Sequence, residues 1–139
     1  MNLVAVMDEV AEKLRAAPSL AGRTYAYPQS PIVPPAAIVT YPTDGVFDAT
    51  YGRGVDTMTG VVVIAVGRPN ERTSRDRLAG YIDGSGPESV KALLDGDEDD
   101  YASCDGVRVS VWETDVYNIG GTDYLVAVFQ LDIAGPGTA

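Results

Sequence analysis

The sequence predicts an α+β fold: a mixed, mostly antiparallel sheet with an N-terminal amphipathic helix, a central strand–helix unit and a protruding β-hairpin arm. Three observations predict it. Val61-Val62-Val63-Ile64-Ala65-Val66 is an unbroken apolar run rich in β-branched side chains, the pattern of a strand covered on both faces. Ahead of it, Tyr51-Gly52-Arg53-Gly54-Val55 sets two glycines between the β-prone segments 46–51 and 55–59, as a hairpin requires. Behind it, Gly67-Arg68-Pro69-Asn70 is followed by Thr73 and Asp76 at capping-box spacing, so a helix is expected to pack back on the strand.

At the N-terminus, Asn2 is placed to cap a helix in which Leu3, Val6, Val10, Leu14 and Ala17 recur three and four residues apart. Glu9 precedes Lys13 by four residues, the favourable order for a helical ion pair, and Pro18 stops the helix. Residues 23–27 read as a short edge strand. Pro28, Pro31, Pro34 and Pro35 then impose an extended path, and residues 36–41 resume as a strand. Pro42-Thr43-Asp44-Gly45 has turn chemistry and is expected to reverse the chain into the arm. After the central unit, Leu78, Tyr81 and Ile82 point inward from a helix that 83–87 breaks. Ser85 and Glu88 have capping-box spacing for a short helix carrying Val90, Leu93 and Leu94.

The segment Asp95-Gly96-Asp97-Glu98-Asp99-Asp100 is too charged to bury and is expected to form an exposed loop. Val107, Val109 and Val111 alternate with Arg108 and Ser110, the period of a strand with one buried face, which continues through Trp112 to Tyr117. Asn118-Ile119-Gly120-Gly121 is a tight hairpin signal. The returning strand, 124–133, sets Leu125, Ala127, Phe129, Leu131 and Ile133 on one face. The expected organisation is one domain over residues 1–134 and a flexible tail over 135–139.

A chain of 139 residues with 45% apolar content can bury a single sizeable core. Twenty acidic and ten basic side chains give a net charge of -10, which argues against a surface built to neutralise nucleic-acid phosphates or anionic lipid. No apolar run approaches the ~20 residues of a membrane span, and no export signal is seen at the N-terminus. The lone Cys104 reads as a structural thiol.

Chemistry is correspondingly sparse. The absence of histidine removes Ser-His and Cys-His nucleophile pairs and the commonest metal ligand, so no catalytic residue, metal centre or cofactor is expected and the chain does not read as an enzyme. Asp95, Asp97 and Asp99 have the alternate spacing that opens an EF-hand loop. However, Asp100 stands where glycine is needed and Gly106 where the bidentate glutamate is needed. A weak divalent-cation site and a solvated acidic loop both remain open. Gly84-Ser85-Gly86 lacks phosphate-loop spacing and reads as a helix cap. The proline spacing at 28–34 reads as a stiff loop rather than a polyproline ligand. Trp112 and the eight tyrosines are expected at core and interface positions.

The order of segments resembles the tail terminator proteins of long-tailed, siphovirus-type bacteriophages, particularly those infecting actinobacteria. The resembling stretches are Val6-Met7-Asp8-Glu9-Val10, Pro34-Pro35-Ala36-Ala37-Ile38-Val39, Tyr51-Gly52-Arg53-Gly54-Val55-Asp56, Val66-Gly67-Arg68, Arg75-Asp76-Arg77-Leu78-Ala79-Gly80-Tyr81 and Asp83-Gly84-Ser85-Gly86-Pro87-Glu88-Ser89-Val90-Lys91. The resemblance implies a homo-oligomer, a hexameric ring that caps the major tail tube protein and meets a head-closure or neck protein. It would be assembled in the host cytoplasm and carried in the virion at the head–tail junction, with DNA passing through its channel without specific binding. On that picture Asp95, Asp97, Glu98, Asp99 and Asp100 would face the channel. The arm residues Phe47, Tyr51, Arg53, Val55 and Met58 would contact a neighbouring subunit or the tube. A head-closure or neck connector protein and a monomeric acidic binding module are the alternatives.

Overall fold

Helix α1 (Leu3–Leu14) forms where the apolar stripe and its cap coincide: Asn2 Oδ1 accepts the Ala5 amide at 3.1 Å, and Val6, Met7, Val10, Ala11 and Leu14 are buried. Leu3, at the stripe's start, stays 40% exposed. The computed structural model describes residues 2–27, 32–47 and 55–136. A 3₁₀ turn (Pro18–Leu20) follows α1 and leads to strand β1 (Thr24–Tyr25), then β2 (Ala36–Val46) and β3 (Val55–Gly67). Helices α2 (Arg72–Ile82) and α3 (Val90–Leu94) come next, and the hairpin of β4 (Gly106–Ile119) and β5 (Thr122–Pro136) ends the described chain.

The five strands lie in the order β1-β2-β3-β5-β4, so the apolar strand is the middle one. Only β1 and β2 run parallel; the other pairs are antiparallel. Alternation along β3 sends Val62, Ile64 and Val66 into a cluster with α1, α2 and α3, where they meet Val10, Leu14, Tyr81, Leu94 and Phe129. Val63 and Ala65 face the other way, into a smaller cluster with Ile32, Ile38, Val126 and Val128. Each such side chain buried from water contributes about 1.5–3 kcal/mol, which is why the doubly covered strand is central. On β5, Ala127, Phe129, Leu131 and Ile133 lie on the helix face as their spacing predicts, with Leu125 packed against them. The β4–β5 turn is also as expected: Gly120 and Gly121, at φ 61° and 89°, supply the two positive values that a two-residue hairpin turn needs.

Several local expectations give way to tertiary contacts. Pro42-Thr43-Asp44-Gly45 does not reverse the chain: β2 runs through it to Val46, because β3 continues alongside and pairs Asp44 with Thr59 and Val46 with Thr57. The turn-forming residues are absorbed in a bulge, four steps on β2 from Thr40 to Asp44 against two on β3 from Val61 to Thr59. Thr73 does not cap α2. The Glu71 amide closes a turn onto the Arg68 carbonyl, which starts the helix early with Glu71 at the cap and Thr73 already inside; Asp76 instead pairs with Arg75 at 3.0 Å. Nor does Ser85 cap α3. Glu88 is drawn to Ser19, accepting its hydroxyl at 2.6 Å, and Ser89 takes the cap by accepting the Ala92 amide.

At the C-terminal end, β5 extends through Pro136, so Gly135 and Pro136, expected in the tail, pair with Asp56 and Val55. Residues 137–139 lie outside the described residues. A second bulge, between Val109 and Val111 of β4, places Val111 opposite Gln130 one step after Val109 faces Leu131. One inserted residue flips the side-chain parity, so Val111 leaves the face it was expected to share with Val107 and Val109 and is 49% exposed.

Glu9 does not pair with Lys13. Its carboxylate accepts the Ala102 amide at 2.9 Å and the Ser103 amide at 2.9 Å, together with the Ser103 hydroxyl, and so ties α1 to the loop before β4. Lys13 instead lies over the Tyr101 ring, 4.5 Å from its centroid. Partial burial pushes the Glu9 carboxyl up, but the hydrogen bond from Ser103, the two amides and the Lys13 charge together outweigh it, leaving the group below its ordinary value. A carboxyl depressed in the folded state stabilises it above the unfolded pKa, and that stability is lost as pH falls through the folded value. Glu9→Gln is therefore expected to lower urea stability by about 1 kcal/mol at neutral pH, a figure reduced for solvent screening. The difference from wild type is expected to vanish in acid below the glutamate range.

Candidate functional site

Where a sheet ends, its outermost strand presents backbone donors and acceptors that something must satisfy. The N-terminal half of β4 is closed on its outer side. Gly96 and Val107 exchange two hydrogen bonds of 3.0 Å, the Val109 amide donates to Asp95 Oδ1 at 2.7 Å, and Lys91 Nζ reaches the Val109 carbonyl at 3.2 Å. Past the bulge this cover stops among the described residues, and 110–118 are all exposed. Trp112 (54% exposed) and Val116 pair across to Phe129 and Leu125 and so lie on the helix face. Val111 and Tyr117 pair with Gln130 and Tyr124 on the other. The Asp115 carboxylate takes the Val116 amide at 2.7 Å, holding a backbone donor away from the β5 ladder. This apolar edge is what the sequence reading missed. Its signal is the spacing 111, 112, 116, 117, which keeps neither a strand's period of two nor the alternation that precedes it.

The opposite side of the sheet is open too. Strand β1 covers β2 only at Ala37 and Ile38, so β2 beyond Thr40 is an edge among the described strands. There Tyr41, Val46 and Phe47 are exposed, Phe47 at 85%, while Val55 and Met58 across the hairpin are half-buried. Between α1 and this arm lies a groove of about 410 Å³, lined chiefly by Leu3, Tyr41, Asp44, Val46, Phe47 and Met58. Of the expected arm contacts, Phe47, Val55 and Met58 are thus grouped at one end of the hairpin. Tyr51 and Arg53 lie outside the described residues.

The acidic loop is exposed, as its composition predicts, and two of its carboxylates order its own backbone. Asp97 Oδ1 accepts the Asp99 amide at 3.0 Å, and Asp100 Oδ2 accepts the Asp97 amide at 3.0 Å. Asp95 does more, bridging the Val109 amide and Lys91 Nζ, the latter at 2.7 Å. Glu98 is exposed. Among the described residues no group of three or more acidic or cysteine side chains is placed to hold a metal ion. Cys104 is buried in the main cluster, and burial pushes its thiol up, away from the thiolate that reactivity needs. Burial likewise pushes up the Tyr101 phenol, which donates to the Leu94 carbonyl. The strongest assembled features are therefore surfaces, two apolar strand edges and an acidic loop.

No protein-family model matches this chain, and no curated protein matches it in sequence.

Within the acidic loop, structural and solvent-facing carboxylates should separate cleanly. Asp95→Ala removes a partner from the covered outer edge of β4 and is expected to cost about 1–2 kcal/mol in urea unfolding. Glu98→Ala is expected to stay within about 0.5 kcal/mol of wild type.

Proposed function

We propose that this chain is a structural virion protein, a tail terminator that forms a ring capping the phage tail tube and offers the tail-side surface for joining to the head. The observation that carries the proposal is the pair of apolar, uncovered strand edges on opposite sides of one rigid sheet. A subunit so built has one contact for each neighbour, the requirement of a head-to-tail ring. The sequence resemblance supplies the biological setting, and the ring's hexameric size follows from that resemblance alone.

A polarity along the strands supports a joining role. The acidic loop and Asp105 lie where β4 starts and β5 ends, since Gly96 bridges Val107 and the Asp105 amide donates to the Ala134 carbonyl. Arg68, Arg72 and Arg75 lie at the other end, beside Leu125 and the β4–β5 turn, with Arg77 on the Val66 carbonyl there, and Glu71, Asp76 and Asp123 offset part of their charge. The fifteen residues of β5 separate the two ends by roughly 50 Å. A ring of such subunits has chemically different faces, suited to two different partners, the tail tube protein on one side and the head-closure or neck protein on the other. In this reading Asp95, Asp97, Glu98, Asp99 and Asp100 face the channel, where like charge keeps passing DNA from adhering. The arm lies against a neighbouring subunit or the tube.

Native mass over a range of concentrations, with negative-stain images of the same samples, tests the reading. A closed ring with a central hole is the expected result. A chain that stays monomeric both alone and with isolated tail tubes would sink it. Replacing Asp97, Glu98 and Asp99 together by Lys is expected to leave the ring's mass unchanged but to make it sediment with double-stranded DNA at low salt, which the wild type should not do.

A further inference from the structure

Resting on the ring reading, we infer that the subunit contact is made by the Trp112 edge of one copy seated in the groove between α1 and the β2–β3 arm of the next. The occupant is a second copy because one chain carries both halves of the contact, facing opposite ways. Each half by itself is incomplete. The β4 edge offers Val111, Trp112, Val116 and Tyr117 to solvent, and the groove offers Leu3, Tyr41, Phe47 and Met58. In the uncovered stretch 110–118, Trp112 and Val116 stand 54% and 48% exposed on the face that meets the groove, with Val111 and Tyr117 on the other. A seated copy thus covers one face and the strand's outer edge, a contact at the small end of stable interfaces. Placed against the groove, it would bury Trp112 and Val116 together with Tyr41 and Phe47, four of the large apolar side chains that the fold leaves in water.

Trp112 is the centre of the contact on chemical grounds. An indole is an amphipathic anchor, an apolar plate with one N–H donor, and such residues dominate interface energetics. The groove matches it: Leu3, Tyr41, Phe47 and Met58 supply apolar walls on the helix face of the sheet. Its volume of about 410 Å³ admits one large aromatic side chain. Asp115, by holding the Val116 amide, guards the edge against indiscriminate strand addition, so recognition falls to the side chains.

The contact is heterologous, and complementation tests it. Trp112→Ala spoils the edge and keeps the groove, whereas Phe47→Asp spoils the groove and keeps the edge. Both positions are exposed, so circular dichroism and urea unfolding are expected to match wild type. Each variant alone is expected to lose at least about 30-fold in association. An equimolar mixture is expected to form a dimer and to stop there, since only one live edge and one live groove remain. The single tryptophan reports directly: its emission should shift to shorter wavelength as wild type assembles and as the variants are mixed. Added salt should strengthen assembly, because copies of charge -10 repel.

Rings from Trp112→Ala at wild-type concentrations would overturn the inference and leave the ring reading standing. So would a wild-type ring whose tryptophan emission does not move. A mixture that stays monomeric would reject this pairing of edge and groove, Phe47→Asp that associates by itself would point to an edge that pairs with itself, and assembly that weakens in salt would shift the contact to the arginine and acidic ends. Each of these outcomes rejects the inference alone. A wild type that never assembles, even on tail tubes, rejects both.

Discussion

The structure depends on the ladder between β3 and β5, two long antiparallel strands whose side chains are buried on both faces over much of their length. A strand covered on both sides cannot slip by one residue without exchanging its two apolar sets, and here both sets are packed: Val62, Ile64 and Phe129 under the helices, Val63, Val126 and Val128 opposite. That register fixes everything attached to it. Arg77 of α2 reaches the Val66 carbonyl at the end of β3. Through β5 the ladder sets where β4 lies, and through β2 it carries the arm. The position of both edges follows from that register.

Bulges then decide which parts of the outer strands belong to the core. On β4, one inserted residue at Ser110 turns an orderly inward valine series into an edge that shows apolar side chains on both faces. On β2, the extra residues between Thr40 and Asp44 let the strand continue beyond the core while Tyr41 turns to solvent. On β4 the apolar surface is therefore a consequence of geometry, since perfect register would have kept Val111 on the inward face. On β2 the two extra residues keep parity, and the side chains there are exposed because the strand runs beyond the buried clusters.

This also explains what was legible in the sequence. The central strand, the first helix, the two-glycine turn and the inward face of β5 rest on periodicity and on positive φ, which are local properties that tertiary packing here reinforces. The failures share one physical cause. Thr73, Ser85, Pro42 and the Glu9–Lys13 pair each had correct local chemistry, but a partner distant in sequence or an earlier turn claimed the group first: Glu88 went to Ser19 and Glu9 to Ala102 and Ser103. The acidic loop was legible as exposed because charge alone decides that. That Asp95 is a structural brace, unlike Glu98, was not, because its partners, Val109 and Lys91, are set by the way β4 returns past α3.

A sheet with two apolar edges is an aggregation hazard unless association is limited, and the chain carries three limits. The net charge of -10 keeps free copies apart. Asp115 occupies a backbone donor on one edge, and Pro42, which has no amide to donate, interrupts the other. Each limit weakens the encounter of two free copies more than it weakens a contact already held in place by further neighbours. A ring gains its last interface without bringing in another subunit, so closure overcomes a repulsion that open chains do not. On the ring we propose, the guarded edges and the excess charge belong with the apolar surface: they favour a closed, finite assembly over an open one.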